Sequence, residues 1–156
     1  ILLVTPDGKE EETGTRLSRV GFDNTLGYLQ GGYHAWVNAG KETDAMHAIN
    51  AKEAAKILSQ EGIPVFDVRK ESEYAAEHFE NALSTPLSLL NDHLAEFPRE
   101  TTFYLHCAGG YRSVIAASIL KSRGIHNLVD ISGGFTDMKK AGLPTTNYVC
   151  PSTKRS

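Results

Sequence analysis

The chain is 156 residues long, 40% hydrophobic and 22% charged, which suffices for one ordinary core, or one domain and part of another, and is too polar for a membrane span. A formal charge of -3 supplies no basic surface for capturing nucleic acid. Two cysteines, Cys107 and Cys150, are too few for a disulfide framework and lack zinc-site spacing, which suits a reducing, cytoplasmic setting.

In chain order, ILLVTPDGKEEE has five apolar or near-apolar positions ahead of an acidic run and no basic leader, so no signal peptide is expected. An opening on Ile rather than Met reads as the start of a fragment. Residues 1–43 then run through a Gly-containing loop, a helical stretch, Gly21-Phe22-Asp23-Asn24, an apolar stretch, Gly31-Gly32-Tyr33, a short helix and Ala39-Gly40. AKEAAKILSQEG places Ala54, Ala55, Ile57 and Leu58 at helical spacing, with Gly62 ending the helix. PVFDVR reads as a short buried strand, ESEYAAEHF as a helical turn or two, and LSLLNDHLAEF as a helix stopped by Pro98. FYLH is a strand that leads into HCAGGYRS, SVIAASILKSRG is a helix closed by Gly124, and NLVDI is a last strand. Strands alternating with helices predict an α/β fold, a parallel sheet with helices on both faces.

Residues 103–145 echo residues 1–43, so the chain carries an internal repeat. Only the second copy has a front half, residues 45–102, before it. The expected organisation is therefore the C-terminal half of one unit over 1–44, a complete domain over 45–150 and a polar tail over 151–156.

Cys107 falls at the carboxyl end of a strand, where parallel sheets bind ligands. Small residues at Ala108, Gly109 and Gly110 let backbone N–H groups turn inward as an anion-binding nest, and a helix starting near Ser113 adds its N-terminal donors. Such surroundings bring a thiol from ~8.5 down to roughly 3.5 to 7.5. Cys107 is accordingly read as a thiolate nucleophile, not an apolar filler, and Arg112 as a planar cation for an oxyanion. For Tyr111, packing at the pocket mouth and contact with a donor both stay open.

Cys107, Gly110 and Arg112 match the pattern Cys-x-x-Gly-x-Arg, and with Asp67-Val68-Arg69, Glu73-Tyr74, His78-Phe79 and Gly133-Gly134-Phe135 they resemble the rhodanese (sulfurtransferase) domain family over residues 48–145. The resemblance implies a three-layer domain with a central parallel sheet flanked by helices. It implies ping-pong sulfur transfer, in which Cys107 takes a sulfane sulfur from a small-molecule donor (thiosulfate or a low-molecular-weight persulfide) and passes it to a thiol or other nucleophilic acceptor. The loop Ala108, Gly109, Gly110, Tyr111, Arg112 and Ser113 would bind substrate. Asp67 and Arg69 would brace the loop, with direct substrate contact as the other reading, and His78 would tie a turn to the sheet. Glu77 and Asn81 stand where glycine is usual, which puts local turn geometry in question.

By strand alternation His106 points away from Cys107, as a satisfied or exposed histidine. Cys150 reads as an incidental exposed thiol. In the first copy Thr5 takes the nucleophile's place and Glu10, Glu11 and Glu12 occupy the helix start, where they suit the dipole but repel an anion. That copy is expected to be inactive and to dock, self-associate or stay loose. An inactive copy before an active one resembles the tail of fusion proteins that begin with a metallo-β-lactamase-like persulfide dioxygenase, which would place such a domain upstream. No cofactor and no metal are expected, since His34, His47, His78, His93, His106 and His126 are scattered. Two alternatives remain: a Cys-dependent phosphatase or arsenate reductase, whose loops run Cys-x5-Arg against four intervening residues here, and a non-catalytic binding module.

Overall fold

In a computed structural model, which describes residues 1–150, the chain divides into two compact units, one ending at Ala45 and the other starting at Met46. The expected tail, 151–156, lies outside the described residues.

In the second unit the strands are β3 (Ala48–Asn50), β4 (Val65–Asp67), β5 (Ala82–Ser84), β6 (Phe103–His106) and β7 (Leu128–Ser132). They form one parallel sheet in the order β3-β7-β6-β4-β5. The helices are α3 (Ala51–Leu58), α4 (Glu71–Ala76), α5 (Tyr111–Ser122) and α6 (Gly134–Lys140). Both sheet faces are covered, so the central strands are buried on either side and read as apolar runs, not alternations. Phe66, Phe103, Leu105, Cys107 and Leu128 point to the face carrying α5. Val65, Ala82 and Ile131 point to the other, against α3 and Met138 of α6.

Local chemistry sets the element ends. Asn50 caps α3 by accepting the N–H groups of Lys52 and Glu53, both at 3.0 Å, and Glu53 returns the bond to the Asn50 N–H, a reciprocal arrangement that satisfies orphan donors. The helix expected over LSLLNDHLAEF is instead two 3₁₀ turns, Leu87–Leu89 and Leu94–Glu96. Asn91 and Asp92 fall mid-segment, where such side chains favour turns over helix interior. Leu90 and Phe97 still reach the core, so the apolar spacing is used without a continuous helix. Strands β3 and β5, three residues each, carried no periodic signal. Among the described residues no helix is long and apolar enough to cross a membrane.

The first unit contains β1 (Leu2–Leu3), α1 (Glu10–Ser18), β2 (Gly27–Tyr28) and α2 (Gly32–Asn38). Its parallel pairs, Leu2 with Gly27 and Leu3 with Tyr28, correspond at a constant sequence offset to Tyr104 with Val129 and Leu105 with Asp130 in the second unit. Leu3 is buried, whereas Leu2, Val4, Leu26 and Tyr28 are exposed.

Phe66, Phe97 and Phe103 form an aromatic triad under α5, with centroids 4.5 to 5.4 Å apart. Phe103 is completely buried. Phe103→Ala is expected to lower the unfolding free energy by about 3–5 kcal/mol in urea titration; a loss under about 1 kcal/mol would contradict the triad's place in the core.

Candidate active site

Cys107 follows directly on β6, and the chain turns back at Gly110, whose φ of +102° a side-chain-bearing residue rarely adopts. The turn aims the Gly110 N–H at Cys107 Sγ, 3.1 Å away. Ser113, in the first turn of α5, is fully buried and brings its hydroxyl to 3.6 Å from the same sulfur.

A second glycine pair holds the loop from behind. Gly134 has φ +56°, and a Cβ there would lie 2.3 Å from the Cys107 carbonyl oxygen. Because that space is empty, the Phe135 N–H donates to the Cys107 carbonyl at 2.7 Å and the Thr136 N–H to that of Ala108 at 3.2 Å. With its carbonyls engaged behind, the loop is left with N–H groups facing the sulfur.

Burial pushes the Cys107 thiol up, but hydrogen bonds from the Ser113 hydroxyl and from the N–H groups of Ser113, Gly110 and Gly109 outweigh it, so the thiol lies below its ordinary value. The cysteine exposes only 1% of its surface, so what reaches the sulfur must be narrow or must displace the loop.

Arg112 departs from the expectation of a cation aimed inward for substrate. Its Nη1 and Nη2 donate to the two carboxylate oxygens of Glu73, at 2.6 and 2.9 Å, a planar fork-to-fork pair of the strong kind. Glu73 also accepts the Lys70 N–H, which locks the start of α4 to the loop. The Arg112 hydrogen bonds are the main reason the Glu73 carboxyl drops from 4.5 to about 2, against the opposing effect of burial. Sequence reasoning did not assign Glu73 to the site; its signal was an acid four residues beyond Arg69 in a first helical turn.

Asp67 and Arg69 form a second, buried brace. Arg69 Nε and Nη2 donate to the Asp67 carboxylate at 2.6 to 3.0 Å, and Nη2 also donates to the Glu77 carbonyl at 2.8 Å. Its guanidinium lies 4.1 Å over the Phe135 ring. All these contacts are internal, and Arg69 is buried. His106 is on the face opposite Cys107, as alternation requires, but it is buried, not exposed. Its Nδ1 lies 3.3 Å from the Cys107 carbonyl, its ring stacks on Phe135, and burial holds it below its ordinary value, neutral at pH 7.

His78 stacks on Tyr74 at 3.7 Å, and its Nδ1 lies 2.8 Å from the Tyr74 carbonyl. These contacts hold His78 against α4. Glu77 has φ -166°, extended backbone open to any residue, so the absence of glycine leaves the turn undisturbed; its carboxylate pairs with Lys139 at 2.7 Å. Tyr111, the first residue of α5, is 80% exposed. Cys150 is exposed. Among the described residues, no group of three or more His, Cys, Asp or Glu converges as a metal set would.

The sequence profile of the rhodanese-like domain family matches residues 50–141. The chain is 34% identical over 97 residues to an uncharacterized protein of Synechocystis, across 62% of this chain and 54% of that protein. It is 26% identical over 89 residues to a protein named sulfurtransferase from Allochromatium vinosum, across 57% of this chain and 83% of that one. It is 25% identical over 108 residues to a tRNA uridine(34) hydroxylase of Yersinia enterocolitica, across 63% of this chain and 31% of that protein. The crystal structure of a rhodanese-like domain protein from Staphylococcus aureus superposes with a TM-score of 0.57 at 31% identity, covering 64% of this chain and 97% of that one. The chain spans about half the length of the Synechocystis relative.

A carboxyl whose folded value lies below its unfolded one stabilises the fold above pH 4.5, and that contribution is lost as pH falls toward about 2. In urea unfolding at a series of acid pH values, Glu73→Gln is expected to remove this part of the acid-induced decline. Identical declines in the two proteins would contradict the Arg112–Glu73 pair.

Proposed function

The chain belongs to the rhodanese-like domain family, and from that premise we propose that it is a sulfurtransferase that works through a persulfide on Cys107. The observation that carries the reading is the sulfur itself, held by the Gly110 N–H at 3.1 Å and by Ser113 in a loop that lowers its proton affinity. The sulfurtransferase-named relative supports sulfur transfer at the level of the family.

In the first half-reaction the Cys107 thiolate attacks the sulfane sulfur of the donor. A new S–S bond forms, the donor's own S–S bond breaks, and its electron pair leaves on sulfite, if the donor is thiosulfate, or on a thiolate, if it is a persulfide. In the second, an acceptor thiolate attacks the outer sulfur of the Cys107 persulfide, whose S–S bond breaks to return the Cys107 thiolate. No proton donor is required in either displacement, because every leaving group departs as a stable anion; the loop N–H groups stabilise the persulfide anion as they do the thiolate.

The Arg112–Glu73 pair bears on the phosphatase alternative. A tetrahedral phosphate needs a guanidinium fork turned toward it, whereas this fork is engaged with a carboxylate. A terminal sulfur carries less spread charge and needs mainly the amides. The 1% exposure of Cys107 likewise favours a slender S–S end over a bulky substituted phosphate.

We read the first unit as a second, inactive copy of the back half of this fold. Gly31 and Gly32 have φ of 76° and 57°, against 79° and 56° at Gly133 and Gly134. A Cβ on Gly32 would lie 2.5 Å from the Thr5 carbonyl oxygen, the relation that Gly134 has to Cys107. The Gly8 N–H there donates to the Glu10 carboxylate at 3.1 Å, so an acid takes the place that a thiolate has in the active loop.

Incubation with thiosulfate or a low-molecular-weight persulfide is expected to add about 32 Da, one sulfur atom, to the peptide containing Cys107. Cys107→Ser should abolish the adduct and lower turnover by roughly 10³-fold or more. An unmodified thiol with every donor would leave a binding module, and aryl phosphate hydrolysis without sulfur transfer would leave a phosphatase.

A further inference from the structure

Sulfur transfer through Cys107 leaves without a role the buried imidazole one residue before it. His106 is the last residue of β6 and is completely buried. Its ladder partner on β4 is Asp67, so the two side chains share the sheet face turned away from α5.

Each ring nitrogen faces an oxygen. Nδ1 lies 3.3 Å from the Cys107 carbonyl oxygen, whereas Nε2 lies 3.9 Å from Asp67 Oδ2, beyond hydrogen-bond reach. Nε2 has no other partner among the described residues. A neutral imidazole carries a single N–H, and burial keeps this ring neutral at pH 7. The carbonyl can only accept, so the bond at Nδ1 requires the proton to sit there. Nε2 is then a bare lone pair toward a carboxylate that already accepts from Arg69 Nε and Nη2 at 2.6 to 3.0 Å.

An orphaned buried nitrogen is costly. A phenyl ring in the same space would remove that cost and keep the stack on Phe135, whose ring centroid is 6.3 Å away with the planes 23° apart. It would give up one thing, the bond to the Cys107 carbonyl. That carbonyl has two donors, the Phe135 N–H of α6 at 2.7 Å and His106 Nδ1, which together fill its two lone pairs. In a planar trans peptide the C=O and N–H point in opposite directions, so a Cys107 carbonyl pinned on the α6 side turns the Ala108 N–H to the other side. Rotation of that peptide would bring a carbonyl oxygen into the loop, where its negative end disfavours an anion.

We propose that His106 is a positioning residue for Cys107: its Nδ1–H holds the carbonyl of the nucleophile's own peptide away from the sulfur and so keeps the loop's amides turned to the thiolate. No proton is transferred and the ring touches no substrate. His106 acts through the backbone of the residue that follows it.

The proposal rests on Cys107 being the nucleophile, but its test uses no sulfur donor, so failure of sulfur transfer and failure of the His106 role are distinguishable. Iodoacetamide alkylation of Cys107, resolved from Cys150 by peptide mass, is followed from about pH 4 to 10 in the wild type, His106→Phe and His106→Asn. His106→Phe keeps an aromatic ring and loses the donor, and the midpoint of its profile should rise by roughly 0.5 to 1 pH unit, the worth of one hydrogen bond. Asparagine places an N–H group where Nδ1 stands, and should cancel more than half of that rise. A His106→Phe profile superimposable on the wild type overturns the proposal. So does an equal rise in both variants, which would leave the ring a packing role. Nitrogen-15 NMR of the wild-type imidazole, assigned through its own backbone, needs no folded variant: at pH 7 the His106 proton should reside on Nδ1. A proton on Nε2 instead overturns the proposal.

Discussion

A single backbone hydrogen bond, from the Gly110 N–H to Cys107 Sγ at 3.1 Å, is the contact to which the rest of the second unit is adapted. It requires a left-handed glycine at the start of α5 and carbonyls turned outward on the far side of the loop. It also requires a close approach by α6 that leaves no room for a side chain at Gly134. The sheet contributes by ending β6 one residue before the sulfur, so that the loop hangs from a strand fixed on both flanks by β4 and β7.

The charges around the loop hold it in shape more than they make it cationic. Arg112 is bound to Glu73 and Arg69 to Asp67; the first pair joins the start of α5 to α4, and Arg69 joins the end of β4 to the end of α4 and to α6. Removing one member of the buried Asp67–Arg69 pair would strand a charge, and such losses reach about 3–5 kcal/mol. The anion is thus stabilised chiefly by oriented amides and one hydroxyl, which keep their places because the side-chain charges around them are neutralised in pairs. Donors oriented in advance cost little reorganisation when charge develops on the atom they face.

Much of this was readable from residue types alone. FYLH, the nest of small residues and the helix after it are local in sequence, and their chemistry follows from backbone freedom and helix ends. The corrections come from long-range pairing. Arg112 reads, from its permanent planar charge, as a partner for an oxyanion; the partner it has here, Glu73, lies 39 positions away. The helix misread over 87–97 followed apolar spacing where Asn91 and Asp92 argued for turns. Strands β3 and β5 are too short to carry a period and exist by pairing with their neighbours.

The account stands on the ionisation of one thiol, and the most direct measurement is a titration of the ultraviolet thiolate absorbance of Cys107, taken as the difference between the wild type and Cys107→Ser. An ionised sulfur accounting for most of Cys107 at pH 7, against a free thiol that titrates near ~8.5, is the expected result. A signal that develops only at or above that value would show that burial outweighs the amides, and would contradict the account.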